Sequence, residues 1–179
     1  MHCVRPVLKK QPNPYESPEG APFIVIGPKS PLSYHRAIFD MASDFANSVG
    51  YSTPYDVGEA YRDPSLLRDR ILLFVEPRGT DKTRCFGAIG FRWGKKNDLP
   101  NVEWFMTWVW FHPKEQRKGH LTAAWPHILK LYPVFVPVPP LSHGMQSFLK
   151  KRPEILESFV RARGMSATDV LSEGAQHCS

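Results

Sequence analysis

Cysteine is scarce in this chain: Cys3, Cys85 and Cys178 are odd in number and far apart among 179 residues. Their spacing offers neither a zinc-ligand pattern nor a disulfide framework, so a reduced, cytoplasmic setting is expected, with no metal. No apolar run approaches the ~20 residues that a membrane-spanning helix needs, so no membrane partner is expected. The opening MHCVRPVLKK lacks the apolar stretch of a signal peptide. Glycine-rich nucleotide signatures are missing as well: neither GxGxxG nor GxxxxGKS/T occurs, and there is no GxSxG nucleophile elbow. Dehydrogenase, P-loop and serine-hydrolase chemistries therefore lack their minimum signal.

What is present is an ordinary globular composition, 42% hydrophobic and 22% charged, punctuated by 18 prolines. The length suits one domain with a sizeable core, or one domain plus arms. A net charge of +6 favours an anionic partner, whether a phosphorylated cofactor, nucleic acid or an acidic protein surface.

Residues 1–22 carry Pro6, Pro12, Pro14, Pro18 and Pro22 among polar neighbours and read as an extended arm. Residues 23–164 read as the domain, and 165–179 as a tail. Phe23–Ile26 is a strand candidate. Leu32–Val49 places Ile38, Phe39, Met41, Ala42, Phe45, Ala46 and Val49 at helical spacing, with Gly50 as its end signal. A short helix over Pro64–Arg70 could be capped by Asp63. Ile71–Val75, Arg84–Trp93 and Val102–Phe111 read as strands, joined by polar turns over Glu76–Thr83 and Gly94–Asp98 into an antiparallel meander. Val134–Pro140 is strand-like but laced with proline, which belongs at an edge or a break. Leu141–Arg163 is helical with an interruption at Pro153 and an end at Gly164. Ser166 and Asp169 could cap one more short helix.

The run Val102–Phe111 is aromatic and β-branched, and its alternation puts Trp104, Trp108 and Trp110 on one face with Met106 between them. Those tryptophans read as core, with base stacking as the alternative. Pro113 closes the run. A basic turn, Gln116-Arg117-Lys118-Gly119-His120, then opens into a helix with Leu121, Trp125, Ile128, Leu129 and Tyr132 on its apolar face. The first N–H groups of a helix have no intrahelical partner and the dipole favours negative charge there, so this turn is a candidate anion site. A solvated basic turn is the alternative.

Val109–Pro113 followed by Gln116-x-x-Gly119-x-Leu121 resembles the acyl-CoA loop of the GNAT superfamily of N-acetyltransferases, where Gln/Arg-x-x-Gly-x-Gly/Ala follows the fourth strand. Gln116 and Gly119 match; Leu121 is bulkier than the usual Gly or Ala. The resemblance implies an α+β, acyl-CoA N-acyltransferase-like fold: a mixed, mostly antiparallel sheet flanked by helices, with splayed fourth and fifth strands. Pro137 and Pro139 fit such weakened pairing, and fit an ordinary edge strand equally.

The activity implied is direct transfer of an acetyl group from acetyl-CoA to an amine in a ternary complex. Backbone groups of Val109, Trp110 and Phe111 would align the pantetheine arm. Gln116, Arg117, Lys118, Gly119, His120 and Leu121 would hold the pyrophosphate. Glu103 is the candidate base, on the expected face of Phe105, Thr107, Val109 and Phe111; histone-type members carry their glutamate where Phe105 stands here. A water-exposed carboxylate at the strand entrance is the other reading of Glu103. The family's tyrosine acid falls on Leu149, which has no proton to give, and Tyr132 lies too early in the chain. Ser142 or His143 is left as the candidate acid, His143 having the better proton chemistry. The amine acceptor is open between a small molecule, a protein and aminoacyl-tRNA, and so is the oligomeric state. Two alternatives stand beside this reading: a non-catalytic, basic, Trp-bearing nucleic-acid-binding module, and an acyl-CoA-binding protein without turnover.

Overall fold

The computed structural model describes residues 7–9, 17–49, 69–80, 82–94, 104–138, 141–164 and 166–172. Alternation of buried side chains along Ile71–Phe74 sets the architecture: Leu72 and Phe74 enter one core, Ile71 and Leu73 the other. A strand buried on both faces belongs inside a sheet covered by two layers. The strands are β1 (Val7–Lys9), β2 (Phe23–Ile26), β3 (Asp69–Arg78), β4 (Lys82–Trp93), β5 (Trp104–Phe111) and β6 (Phe135–Pro137). Their order is β2-β3-β4-β5-β6, with β1 also paired to β4. Every pairing is antiparallel except β5 with β6. A parallel pair cannot be closed by a hairpin, and here helix α2 (His120–Leu131) makes the crossover. The fold is thus α+β, with a mixed sheet flanked by helices.

Helix α1 (Leu32–Val49) has the bounds its periodicity predicts and buries Ile38, Met41, Ala42 and Ala46 on one face of the sheet. The other face carries α2, α3 (His143–Lys150), α4 (Pro153–Arg163) and α5 (Ala167–Ser172). Trp125, Ile128, Phe135, Leu149, Phe159 and Val170 share their core. Pro153 divides α3 from α4 because it has no N–H to continue the helical ladder, yet it fits a first turn.

Residues flanking 23–164 join this core and sheet. Val7–Lys9 pairs with Lys82–Arg84, the Ser17 hydroxyl accepts from the Val25 N–H at 3.0 Å, and Val170 is fully buried. The Pro64–Arg70 helix is corrected in its last two residues: Asp69 and Arg70 belong to β3. Asp69 is buried there and takes two bonds from Arg92 across the strand pair, from Nε at 2.7 Å and Nη2 at 3.3 Å. Gly50, Asp63 and Pro139 lie outside the described residues.

The expected single face of Trp104, Met106, Trp108 and Trp110 is also corrected. Gly90 pairs with Trp108 but Phe91 pairs with Met106, so Thr107 is an extra residue, a β-bulge. One inserted residue reverses the alternation downstream. Trp104 and Met106 pack toward α2, while Trp108 and Trp110 pack toward α1. The expected common face of Phe105, Val109 and Phe111 breaks at the same point. Phe105 packs with Val136, while Val109 and Phe111 join the α2 side.

Two stability predictions arise here. Ser166 and Asp169 form a reciprocal cap on α5: the Ser166 N–H and hydroxyl donate to Asp169 Oδ2 at 3.2 and 2.6 Å, and the Asp169 N–H donates to Ser166 Oγ at 3.1 Å. Asp169→Ala should cost about 1 kcal/mol, a fall of about 2–4 °C in Tm by calorimetry. The second concerns His35, 4% exposed on α1, whose pKa burial pushes below its ordinary value despite hydrogen bonds with the backbone of Ser30 and Gly27. The unfolded chain then takes up the proton first. The stability from a neutral His35 is present above the unfolded pKa of about 6.5 and is lost as pH falls through the lower folded value. Tm should decline between pH 7.5 and 5, and His35→Gln should flatten that decline.

Candidate functional site

The ladder between β5 and β6 covers Trp104↔Phe135, Phe105↔Val136 and Met106↔Pro137, with one further bond from the Val138 N–H to the Met106 carbonyl at 2.8 Å. Strand β5 runs on to Phe111 on the other side of this junction. There the sheet opens into a shallow cleft with about 30 Å³ of room for water-sized groups. Thr107, Trp108 and Val109 form one wall, Pro137 and Val138 the opposite one, and Phe45, Leu141, Ser142 and Met145 complete it. The lining is mostly apolar. Ser142 also caps α3, its hydroxyl oxygen accepting from the Met145 N–H at 3.2 Å, which leaves the hydroxyl proton to donate.

The end of β5 leads directly into the basic turn. The His112 N–H donates to the Phe86 carbonyl at 2.9 Å, and its Nδ1 accepts from the Lys114 N–H at 3.2 Å. A 3-10 turn, Pro113–Glu115, follows. The Gln116 side-chain amide reaches back to the Phe111 carbonyl at 3.1 Å, tying turn to strand. Arg117 has φ 61° and Gly119 φ 82°, both left-handed. The N-cap of α2 is Gly119, which has no side chain to accept from the N–H groups of the first turn. Around Gly119 an added Cβ would meet nothing within 4 Å. This is open backbone at a helix start, with cations beside it.

The turn also holds a buried carboxylate that its sequence did not advertise. Glu115, 7% exposed, receives Lys118 Nζ at 3.2 Å and lies 3.0 Å from His120 Nε2 through one oxygen. Its other oxygen is 3.5 Å from Arg84 Nη2, and Arg84 also pairs with Glu76. Arg152 is a further cation nearby: it donates to Thr122 Oγ1 of α2 at 3.0 Å and lies over the Phe148 ring at 5.5 Å. Glu115 was hidden in a polar run, and its burial depends on Arg84 from a distant strand. Arg152 carried no local signal at all.

The residues singled out by sequence distribute as follows. Val109 lines the cleft; Trp110 is buried on the α1 side; Phe111 packs edge-on to Phe74 and stacks on His120. Gln116, Arg117, Lys118 and Gly119 are exposed in the turn, and His120 opens α2 half-buried. Leu121, the bulky departure from the motif, packs against the core. His143 is exposed at the first position of α3; its neighbour Ser142 is exposed as well and lines the cleft. Leu149 is fully buried, and Tyr132 stacks on Phe91 at 4.2 Å with burial pushing its pKa up to about 12. Glu103 lies outside the described residues, immediately before Trp104.

Among the described residues no three His, Cys, Asp or Glu side chains come together as metal ligands, and no helix is long and apolar enough to cross a membrane. Trp108, Trp110 and Trp125 are buried, while Trp93, 55% exposed, stands at the end of β4. The arrangement sets open backbone and cations at the turn, next to a strand whose cleft side is lined by mostly apolar side chains. No protein-family model and no curated protein matches this chain.

Proposed function

We propose that the chain is an N-acetyltransferase of the GNAT type, moving an acetyl group from acetyl-CoA to an amine. The observation that carries this reading is the continuity of β5: one strand borders the cleft beside its short parallel ladder and ends in the open-backbone basic turn. A pantetheine arm is a chain of amides that can hydrogen-bond along a strand edge, and a pyrophosphate suits helix N–H groups with Arg117 beside them. In this reading the short β5–β6 ladder, ending at Pro137, is the splay between fourth and fifth strands.

The chemistry needs little covalent work. A neutral amine attacks the thioester carbonyl carbon, the carbon–sulfur bond breaks, and the thiolate is protonated as the amine loses its proton. A backbone N–H of Val109–Phe111 would polarise the carbonyl. Ser142 and His143 are both exposed, and of the two Ser142 lines the cleft, so it is the nearer candidate to donate to the thiolate. Glu103 remains the proposed base. A small molecule, a protein amine or aminoacyl-tRNA could be the acceptor, in a cytoplasmic setting.

Binding without turnover is the second reading, favoured by the fully buried Leu149 where a tyrosine acid would stand. The nucleic-acid module is disfavoured, because the tryptophans on which stacking would rest are largely core.

Thermal melting with and without acetyl-CoA, at low and moderate salt, tests the proposal. A ligand that binds only the folded state at 100 times its Kd adds about 2.7 kcal/mol, so Tm should rise by about 5–10 °C. No rise at saturating acetyl-CoA sinks it. A rise without acetylation of any amine in a broad screen leaves the binding-only reading.

A further inference from the structure

A carboxylate is costly to bury unless it is paired, and in an otherwise solvated turn it is the last group expected inside. Glu115 is nonetheless 7% exposed, with Lys118 and His120 drawn onto one oxygen at 3.2 and 3.0 Å and Arg84 at 3.5 Å from the other. These contacts close a ring over residues 115–120. Inside the ring lies Arg117 at φ 61°, a strained conformation for a side chain with a Cβ, together with Gly119 at φ 82°. Such strain persists only where the surroundings over-determine it. Lys118 and Arg117 are both exposed, but the Lys118 ammonium is paired to the Glu115 carboxylate.

We propose that Glu115 is the positioning residue of the turn. It ties Lys118 and His120 to one carboxylate and so holds the left-handed backbone at Arg117 and Gly119. Anion recognition then falls to the backbone N–H groups and to Arg117, not to Lys118. The proposal rests on the acetyltransferase reading only for the identity of the anion.

Its test has two arms on the full chain. In the ligand-free arm, backbone NMR shifts of Arg117 and Gly119 report their left-handed conformation. Glu115→Gln and Lys118→Met should both move them toward averaged values, Glu115→Asp should restore part, and shifts in the sheet should stay in place. Unmoved Arg117 and Gly119 shifts in Glu115→Gln overturn the inference, whether or not acetyl-CoA binds.

In the second arm, inorganic pyrophosphate and acetyl-CoA are titrated separately. Glu115→Gln should lose about tenfold in affinity, the scale of one charged hydrogen bond. Adding Lys118→Met to it should cost nothing more. Lys118→Met alone should leave the salt dependence of binding unchanged, and Arg117→Met should flatten it. Tighter anion binding by Glu115→Gln would mean that Glu115 competes for Lys118, and would overturn the inference. Pyrophosphate binding with these variant effects but no response to acetyl-CoA would uphold the inference while removing the acetyltransferase reading.

Discussion

Gly90→Ala is expected to lower Tm by about 2–12 °C, an overpacking cost of about 1–3 kcal/mol in a tightly filled site. The cause is local and steric. A Cβ built at Gly90 would stand 2.2 Å from Trp108 Nε1, 2.6 Å from its Cδ1 and 2.9 Å from Thr107 Oγ1. Trp108 is 3% exposed between the sheet and α1, within 6.3 Å of the Phe45 ring, so the indole cannot swing into solvent. Thr107 is pinned as well, its hydroxyl donating to the Gly90 carbonyl at 3.1 Å. In a strand without such neighbours, Gly→Ala would stabilise, because glycine loses more backbone entropy on folding. The opposite sign is therefore diagnostic. Gly87→Ala should lower Tm too: its Cβ would stand 2.3 Å from Phe111 Cδ1 and 3.1 Å from the Trp110 carbonyl oxygen, and the Phe111 ring is held between Phe74 and His120. Pairing Gly90→Ala with Trp108→Leu should give a loss smaller than the two single losses added together. Strict additivity in the melting curves would remove the steric explanation.

That same Gly90–Trp108 contact marks where the sequence stopped being legible. Local periodicity carried the reading of α1, whose apolar spacing runs unbroken from Ile38 to Val49, and of α2 after the basic turn. Pro153 and the Ser166–Asp169 pair were equally readable, because a missing N–H and a reciprocal cap act within a few residues. A bulge is different. Thr107 becomes the extra residue only through the register of β4 against β5, which no window of one strand contains. The available signal was Gly87 and Gly90 inside an otherwise bulky strand, since an interior glycine marks a bulge or a close approach. The parallel pairing of β6 to β5 is likewise tertiary, and three residues ending in proline carry little strand signal of their own.

For the candidate site the division follows the same line. The turn Gln116–Leu121 announced itself through charge, glycine and its position between a strand and a helix. What shapes it did not: Arg84 arrives from β4, Arg152 from the start of α4, and neither is near the turn in sequence. The alternation expected to set Phe105 on one face with Val109 and Phe111 fails at Thr107, while Glu103 lies outside the described residues. The cleft is similarly composite, with walls from α1, β5, β6 and α3.

Substituting Gly119 is expected to have the largest effect on ligand binding, with little effect on the fold. Its φ of 82° is one that side chains with a Cβ resist at a cost of about 1–2 kcal/mol, and β-branched residues resist it most. Yet nothing lies within 4 Å of an added Cβ, so no core contact is disturbed and Tm should move by only a few degrees. If the N–H groups from Gly119 into α2 hold the pyrophosphate of acetyl-CoA, the empty space in front of Gly119 is the ligand's own. Gly119→Ala should then weaken acetyl-CoA by about tenfold, because 1.4 kcal/mol of lost preorganisation is tenfold in Kd. Gly119→Val should weaken it by about a hundredfold or more, adding bulk to strain. Asparagine separates the two causes. It tolerates the left-handed region, so Gly119→Asn should keep the ligand-free Tm of the parent chain, and its remaining loss in affinity measures occupied space alone. Calorimetric titration of the three variants against acetyl-CoA gives the ranking directly. Unchanged affinity in Gly119→Val would place the ligand elsewhere, because neither the strained backbone nor the filled space could then be part of the binding surface.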